Sequence, residues 1–249
     1  MDNKIIAYGQ TDVGLMRTIN QDCIYVEKEP IGKFSNLFIV ADGMGGHKAG
    51  DVASRAAIDG FVKYVQETRM NDPANILDAG VIAVNEQVYN MANSNKDYSG
   101  MGTTFVAATV VGKRVYIANV GDSRLYLINR DIHQITRDHS LVEDMVRMGM
   151  IDREEARTHY KKNVITRAVG VDASGVVPDI FEIEIEKDDI LLLCSDGLSN
   201  MVADYDIMKI VNTSENIEDA VHRLIRQAND NGGKDNISAV LIKPEVEEV

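Results

Sequence analysis

Cysteine is scarce in this chain, with two residues in 249, Cys23 and Cys194. Both fall in strand-like surroundings and are too few for a disulfide framework, so we expect buried free thiols in a reducing compartment. Neither begins a Cys-x5-Arg phosphate-binding loop, because Glu29 and Asn200 stand six positions after them. Phosphate chemistry on that kind of cysteine loop is therefore excluded.

Basic residues are also few relative to acidic ones. The chain has 26 Lys and Arg against 39 Asp and Glu, a formal net charge of −13. Nucleic acids and anionic membrane surfaces repel such a molecule, which argues against either as its main partner. The start lacks the basic and apolar regions of a signal peptide, and no apolar run reaches the length of a membrane span, so we expect a cytoplasmic protein.

Several common site motifs are missing as well. There is no G-x-G-x-x-G, Walker loop, H-E-x-x-H or EF-hand loop. Without a Cys pair or a His cluster at zinc spacing, a zinc site is disfavoured. Asp204 and Asp206 form an aspartate pair, but Met208 stands where a D-x-D-x-[TV] phosphotransferase needs Thr or Val.

The hydrophobic pattern groups strands together and separates the groups by pairs of helices. Strands this close in sequence cannot be parallel, because a parallel crossover needs a dozen or more residues. The pattern therefore predicts antiparallel sheets covered by helices, an α+β fold. We predict strands at 4–13, 22–27, 36–41, 102–111, 115–120, 124–129, 132–136, 177–185, 190–194 and 237–242, and helices at 49–67, 73–93, 141–148, 153–158, 205–211 and 217–228.

A single domain is expected over residues 1–244, followed by an acidic tail at 245–249. Residues 139–175 break the regular pattern with short helical pieces and a polar, basic link at 159–163. We interpret this stretch as a flap beside the functional site, more mobile than the core.

The sequence does contain four short acidic motifs at the ends of apolar segments. They are centred on Asp42, Asp122, Asp196 and Asp235. A carboxylate at the mouth of an apolar core is costly unless positive charge meets it. Aspartate oxygens suit Mg²⁺ or Mn²⁺, and Gly43 lets its backbone carbonyl approach an ion. The motifs together predict a shared cation site.

Such a site could act on phosphate esters. Two divalent ions about 3.5–4 Å apart can bridge one water, lower its pKa and present hydroxide to a phosphorus atom. The phosphate also needs a clamp for its non-bridging oxygens. Arg17, in the segment 14–22, is well suited because a guanidinium offers paired donors in a rigid fork.

These motifs resemble those of the bacterial PP2C-type (PPM family) metal-dependent serine/threonine protein phosphatases. The resemblance implies a four-layer α-β-β-α sandwich of two antiparallel sheets flanked by helices. It also implies hydrolysis of phosphoserine and phosphothreonine by direct attack of a water bridging two Mn²⁺ or Mg²⁺ ions. The segments that carry it span most of the chain: 17–22, 41–50, 100–104, 120–126, 163–170, 194–200 and 235–236.

The resemblance assigns a role to each acidic residue. Asp42 would bridge the two ions, and the carbonyl of Gly43 would bind one of them. Asp196 and Asp235 would complete the shell of the other ion. Asp22 would act through metal-bound water.

The resemblance also implies a third, weaker ion site, formed by Asp122 and Asp196. Two positions depart from the family. Met44 stands where eukaryotic relatives have a His thought to protonate the leaving alcohol, and Asn200 stands where some relatives supply another carboxylate to the third ion. The first departure leaves the general acid open, and the second predicts weak binding of the third ion.

Three histidines have different expected roles. His159, in the flap, is the best candidate for a residue that meets substrate. His47 is expected to cap or brace a helix start, and His139 to be structural.

The resemblance implies phosphorylated proteins as substrates and a bacterial Ser/Thr kinase as counterpart, and we expect a monomer. One alternative is a catalytically weak phosphoprotein-binding module on the same fold, whose mark would be a lost metal ligand. Another is a metal-dependent phosphodiesterase or nuclease, which the acidic composition disfavours.

Overall fold

The structure, a computed structural model, describes residues 4–46, 49–172 and 174–245. Of the predicted acidic tail, only Glu245 lies within these ranges. The strands are β1 (Ile5–Asp12), β2 (Asp22–Glu27), β3 (Leu37–Met44), β4 (Gly102–Thr103), β5 (Phe105–Val111), β6 (Arg114–Val120), β7 (Arg124–Ile128), β8 (Ile132–Gln134), β9 (Asp179–Glu184), β10 (Ile190–Cys194) and β11 (Ile237–Pro244). The helices are α1 (Ala49–Glu67), α2 (Pro73–Ser94), α3 (Leu141–Arg147), α4 (Arg153–Thr158), α5 (Asp196–Ser199), α6 (Asp204–Thr213) and α7 (Ile217–Asp230).

The strands form two antiparallel sheets. One sheet has the order β1-β11-β10-β7-β8, and the other has the order β2-β3-β5-β6-β9, with β4 paired to the end of β3. In the first sheet β10 and β11 are central, and in the second β3 is central. Each of these strands therefore has a neighbouring strand on both edges.

Alternate side chains of the central strands enter different layers. In β3, Leu37 and Ile39 pack with α1 and α2, whereas Phe38 and Val40 pack between the two sheets. The side chains of β10 alternate in the same way, between the layer shared by the sheets and the layer under α6 and α7. Because both faces of these strands are buried, their sequences are continuous apolar runs and do not alternate between apolar and polar residues.

Helices cover the outer faces of both sheets. α1 and α2 pack on the six-stranded sheet, and α5, α6 and α7 pack on the five-stranded sheet. The result is a four-layer α-β-β-α sandwich, which confirms the predicted α+β fold class. Within the described ranges, no helix combines the length and the apolar character needed to cross a bilayer.

The predicted strand at 102–111 is divided in two at Thr104. The Thr104 N–H donates to the carbonyl of Asp42 over 2.9 Å, and the Thr104 Oγ1 accepts from the N–H of Asp42 over 2.9 Å. A side chain thus takes the place of a backbone partner and interrupts the ladder between β3 and β5. The strand predicted at 36–41 correspondingly extends to Met44, and the short helix α5 was not predicted.

The stretch between β8 and β9 contains α3 and α4. Isolated bridges between Ser140 and Ile165 and between Thr103 and Val169 close its base. These bridges fix where the stretch leaves and rejoins the sandwich, next to the strand ends described below.

Candidate active site

The strand ends gather the predicted acidic residues at one end of the sandwich. Asp22, the first residue of β2, pairs in register with Asp42 near the end of β3. Asp196 lies two residues after the end of β10, and Asp235 lies two residues before β11, the neighbour of β10. Asp122 lies in the turn between β6 and β7. Antiparallel pairing therefore brings five carboxyl groups, distant in sequence, to one edge.

Asp42 is held mainly through its backbone. Its N–H donates to Thr104 Oγ1, so this contact does not use the carboxyl group. The N–H of the next residue, Gly43, donates to the carbonyl of Gln21 over 3.1 Å. A Cβ on Gly43 would collide with the carbonyl oxygen of Gly50, so only glycine fits between these backbones.

Asp22 is buried, with 4% of its surface exposed. Its Oδ2 accepts hydrogen bonds from the hydroxyls of Ser195 and Ser238, each over 2.7 Å. Its Oδ1 is also buried and has no hydrogen-bond partner among the described residues. Burial raises the pKa of Asp22 to about 7, although both hydroxyls act to lower it.

The remaining carboxyl groups repel one another in a buried setting. Burial, followed by repulsion from Asp22 and Asp196, raises the pKa of Asp42 well above its ordinary value. Burial and then repulsion from Asp235 raise the pKa of Asp196 to about 6. The pKa of Asp122 is raised by burial first and by Asp196 next. Such a group favours the binding of positive charge.

Arg17 supplies positive charge at the rim. Its Nη2 donates to Asp235 Oδ2 over 2.9 Å, and its side chain is 52% exposed. The loop that carries Arg17 is fixed by Asn236, whose Nδ2 donates to the carbonyls of Val13 and Ile19 over 2.9 and 3.0 Å. An ion pair this exposed contributes little to stability, so its importance lies in where it holds the guanidinium.

The predicted residues line a cavity of about 280 Å³, here called the carboxylate cleft. A second cavity of about 370 Å³ adjoins it and shares the walls formed by Asp122 and Asp196. Lys162 donates to Asn200 Oδ1 over 3.2 Å, and Asn200 Nδ2 donates to Asp196 Oδ2 over 2.9 Å. The predicted residues that line the carboxylate cleft are Arg17, Asp42, Gly43, Asp122, Asp196 and Asp235.

The donor set of the carboxylate cleft fits divalent cations. Oxygen atoms dominate it, and the buried Oδ1 of Asp196 lacks a hydrogen-bond partner within the described chain. The same is true of the buried Oδ1 of Asp22, which does not line the cleft but pairs in register with Asp42. Orphaned carboxylate oxygens are costly unless a cation meets them. As the side chains stand, no three described carboxylate, imidazole or thiol groups form a complete ligand cluster. Because Mg²⁺ keeps several waters and takes only one or two carboxylates, the cleft needs no such cluster to bind it.

Other predicted residues lie at or away from the cleft. Met44 lines it, so the position after the Asp-Gly pair offers no titratable group. His159 caps the end of α4, where its Nδ1 accepts from the N–H of Lys161 over 3.2 Å, and it lines neither cavity. Its contact with substrate stays a prediction. His47 lies outside the described residues.

His139 is 5% exposed and braces the turn that carries Asp122. Its Nδ1 accepts from the N–H of Gly121 over 3.1 Å, and its own N–H donates to the carbonyl of Gly121 over 2.8 Å. Its Nε2 lies 3.2 Å from Asp179 Oδ2. Burial lowers the pKa of His139, which suits a neutral ring that accepts at Nδ1.

Sequence reasoning missed the hydroxyl groups that support the carboxyls. Ser195 and Ser238 bind Asp22, and Thr104 binds the backbone of Asp42. A signal for two of them was available, because Ser195 directly precedes a predicted ligand and Ser238 interrupts the apolar run of β11. A buried hydroxyl in an apolar strand needs a partner, and here the partner is a carboxylate.

Comparison with known proteins matches most of this chain to protein phosphatases. The family model for protein phosphatase 2C matches residues 17–242. The serine/threonine phosphatase stp of Listeria innocua is 40% identical over 243 residues, which cover 94% of each chain. Protein phosphatase PhpP of Streptococcus pneumoniae is 36% identical over 235 residues, 93% of this chain and 94% of its own.

Solved structures show the same architecture. Serine/threonine phosphatase Stp1 from Staphylococcus aureus has a TM-score of 0.91 at 39% identity, covering 100% of this chain and 97% of that one. The catalytic domain of the serine/threonine protein phosphatase PstP, in complex with two manganese ions, has a TM-score of 0.84 at 34% identity, covering 97% and 98%. The match in sequence extends over nearly the full length, and the match in structure includes both sheets and their helices. The chain therefore belongs to the protein phosphatase 2C family.

Proposed function

We propose that this chain is a serine/threonine protein phosphatase that hydrolyses phosphoserine and phosphothreonine by direct attack of water. The observation that carries the proposal is the carboxylate cleft, which Arg17 lines together with the buried carboxyl groups of Asp42 and Asp196, both of raised pKa. Cations that offset this negative charge, together with an arginine, suit a phosphate dianion. Family membership, with relatives named as serine/threonine phosphatases, supports the same reaction.

The proposed cofactor is Mn²⁺ or Mg²⁺, with two ions per chain and a third, weaker site. When bound, such ions would lower the pKa of the attacking water and offset negative charge on the phosphate. The third site would use Asp122 and Asp196, where the neutral Asn200 adds no charge. The residues that would hold the two main ions are Asp42, Gly43 through its carbonyl, Asp196, Asp235 and, through a water, Asp22.

Arg17 would bind the non-bridging oxygens of the phosphate. Its hydrogen bond to Asp235 uses one of five guanidinium N–H groups, so donors remain for the substrate. Because Arg17 lines the same cleft as Asp42 and Asp196, it can hold the phosphate next to the cations that these carboxylates would bind. Met44 has no proton to give, so the leaving alcohol must obtain its proton from another source.

We further propose that residues 139–175 act as a flap within a single catalytic domain spanning residues 1–244. Asn163 and Ile165 of this stretch border the carboxylate cleft, and α3 and α4 border the adjoining cavity. A substrate protein reaching the cleft would therefore meet these residues.

The partners of the proposed enzyme follow from its reaction. Its substrates would be phosphorylated proteins, and a bacterial serine/threonine kinase would install the phosphate that it removes. The free thiols of Cys23 and Cys194 suit a reducing compartment, and we propose the cytoplasm.

A comparison of substrates tests the reaction class. With Mn²⁺ supplied, the protein should release phosphate from a phosphothreonine peptide and leave a cyclic nucleotide and DNA intact. Asp42→Asn should lose nearly all of this activity, whereas the exposed control Asp59→Asn should keep it. Cleavage of phosphodiesters alone would favour a phosphodiesterase. Tight phosphopeptide binding without hydrolysis would favour a binding module, although none of the expected ligands is missing from the sequence.

A further inference from the structure

The loop that carries Arg17 exposes apolar side chains. Leu15 and Met16 are 67% and 72% exposed, and Val13 and Ile19 are partly exposed. Single exposed apolar residues are ordinary on protein surfaces, but a group of them within seven residues suggests a contact surface. Arg17 lies inside the group and lines the carboxylate cleft.

The backbone of this loop is firmly held. The N–H groups of Leu15 and Met16 donate to the carbonyl of Gly233 over 2.8 and 3.1 Å. Asn236 fastens both ends of the loop through the carbonyls of Val13 and Ile19. The apolar side chains therefore stand exposed on a fixed backbone, which lowers the entropy lost when a partner binds.

Gly14 shows how closely the loop approaches the site. Its φ is +77°, and a Cβ there would collide with the carbonyl oxygen of Asp235. The Gly14 N–H also donates to Asp12 Oδ1 over 2.8 Å. The position of Leu15 and Met16 is thus tied to the segment that supplies a cleft carboxylate.

We propose that Leu15 and Met16 form a docking surface for the polypeptide of the substrate, specific for an apolar residue near the phosphorylated one. This inference rests on the proposed phosphatase function. An extended peptide advances about 3.3–3.6 Å per residue, so a phosphate held at Arg17 places residues one or two positions away beside Met16. The occupant is a phosphopeptide because Met16 directly precedes Arg17, which lines the cleft that would take the phosphate.

Another part of the cleft border has a similar character. Asn163 and Ile165 line the cleft, and Val164 between them is 44% exposed. A peptide entering the cleft would therefore meet exposed apolar side chains from two separate segments of the chain. A second copy of this chain is a poorer occupant, because two molecules of net charge −13 repel each other.

The test uses two phosphothreonine peptides that differ only in having leucine or serine beside the phosphothreonine, with p-nitrophenyl phosphate as a substrate without a peptide. The wild type should prefer the leucine peptide. In the double variant Leu15→Ser, Met16→Ser, the KM for that peptide should rise about tenfold with kcat little changed, because binding equal in ground and transition states is lost. Hydrolysis of p-nitrophenyl phosphate should be unchanged. Val177→Ser is the matched control, since Val177 is 73% exposed and lies outside the loop that carries Arg17.

The proposal is overturned if the wild type does not distinguish the peptides, or if the double variant retains the preference. It is also overturned if the double variant changes the oligomeric state measured by sedimentation and not the KM, which would identify a second copy as the occupant. If p-nitrophenyl phosphate is cleaved normally in these cases, the proposed function stands and only the docking surface fails. If the wild type cleaves none of the three substrates, the proposed function fails and the docking surface fails with it.

Discussion

The hydroxyl of Ser238 donates to Oδ2 of Asp22 over 2.7 Å and joins the two sheets at the carboxylate cleft. Ser238 belongs to β11 of one sheet, and Asp22 begins β2 of the other. Ser238 Oγ also lies 2.8 Å from Thr11 Oγ1, which must donate because the single Ser238 proton is used on Asp22. Thr11 accepts in turn from Asn20 Nδ2 over 2.8 Å. This chain of hydrogen bonds orients Asp22.

Removing the hydroxyl of Ser238 should weaken cation binding. Ser238→Ala deletes a hydrogen bond that favours the charged form of Asp22. Because this bond is already made in the cation-free protein, only part of the about 1.5–3 kcal/mol of a charged hydrogen bond affects binding, and we expect a severalfold loss of Mn²⁺ affinity. Calorimetric titration of the cation-free protein with Mn²⁺ measures this change directly.

A double-mutant cycle separates this effect from a general loss of packing. In an Asp22→Asn background, Ser238→Ala should change the Mn²⁺ affinity very little. An equal loss in both backgrounds would show that the hydroxyl does not act through Asp22.

The cation-free protein should become less stable as the pH rises from about 4 to about 7. The pKa values of Asp22 and Asp196 are raised to about 7 and about 6, above the ordinary value near 3.9. The folded state therefore holds protons that the unfolded state has lost. The stabilisation is complete below about pH 4 and disappears as the pH passes through the folded values. Urea midpoints in chelator across this range measure it.

The control for this prediction is the variant with Asp22→Asn and Asp196→Asn. Burial lowers the pKa of His139, which makes stability fall at low pH instead. The relevant quantity is therefore the difference in the free energy of unfolding between wild type and variant at each pH. That difference should shrink as the pH falls, and a constant difference from pH 4 to pH 8 would refute the expected titration.

Asn200→Asp should strengthen the auxiliary cation site. Asn200 Nδ2 now donates to Asp196 Oδ2, so an aspartate there places a second carboxylate against Asp196. The weakest Mn²⁺ binding step should tighten severalfold, and the stoichiometry should rise toward three ions per chain. Asn200→Ala, which removes the hydrogen bond without adding charge, should show no such gain.

The clamp role of Arg17 predicts graded losses. Arg17→Ala should lower kcat/KM for a phosphothreonine peptide by about 10² or more, because charge-assisted bonds to the phosphate are lost. Arg17→Lys should recover only part of this, since an ammonium cannot make the paired contact. Equal activity of Arg17→Ala and wild type would contradict the clamp.

Most of the fold could be predicted from the periodicity of apolar residues and from the turn-forming residues between the elements. The predicted bounds of α1 (49–67) and β2 (22–27) agree with the structure, because the apolar pattern of α1 is long and that of β2 is sharply bounded. The division at Thr104 could not be predicted, because it depends on a side-chain contact with Asp42 across the sheet. Such contacts carry no local sequence signal.

The same distinction applies to the site. Asp42, Asp122, Asp196 and Asp235 are recognisable because each ends or begins an apolar run, a position that is costly for a carboxylate. The orientation of Asp22 by hydroxyls from the opposite sheet depends on how the two sheets face each other. Sequence spacing does not contain that information.

Phosphate release from a phosphothreonine peptide, by protein stripped of divalent ions and then given Mn²⁺, tests whether the carboxylate cleft is the catalytic centre of a phosphatase. We expect no release in chelator, recovery on adding Mn²⁺, and background rates for Asp196→Ala under both conditions. The exposed control Asp206→Ala should recover like the wild type. Full activity in chelator, or full activity of Asp196→Ala with Mn²⁺, would contradict a phosphatase built on this carboxylate cleft.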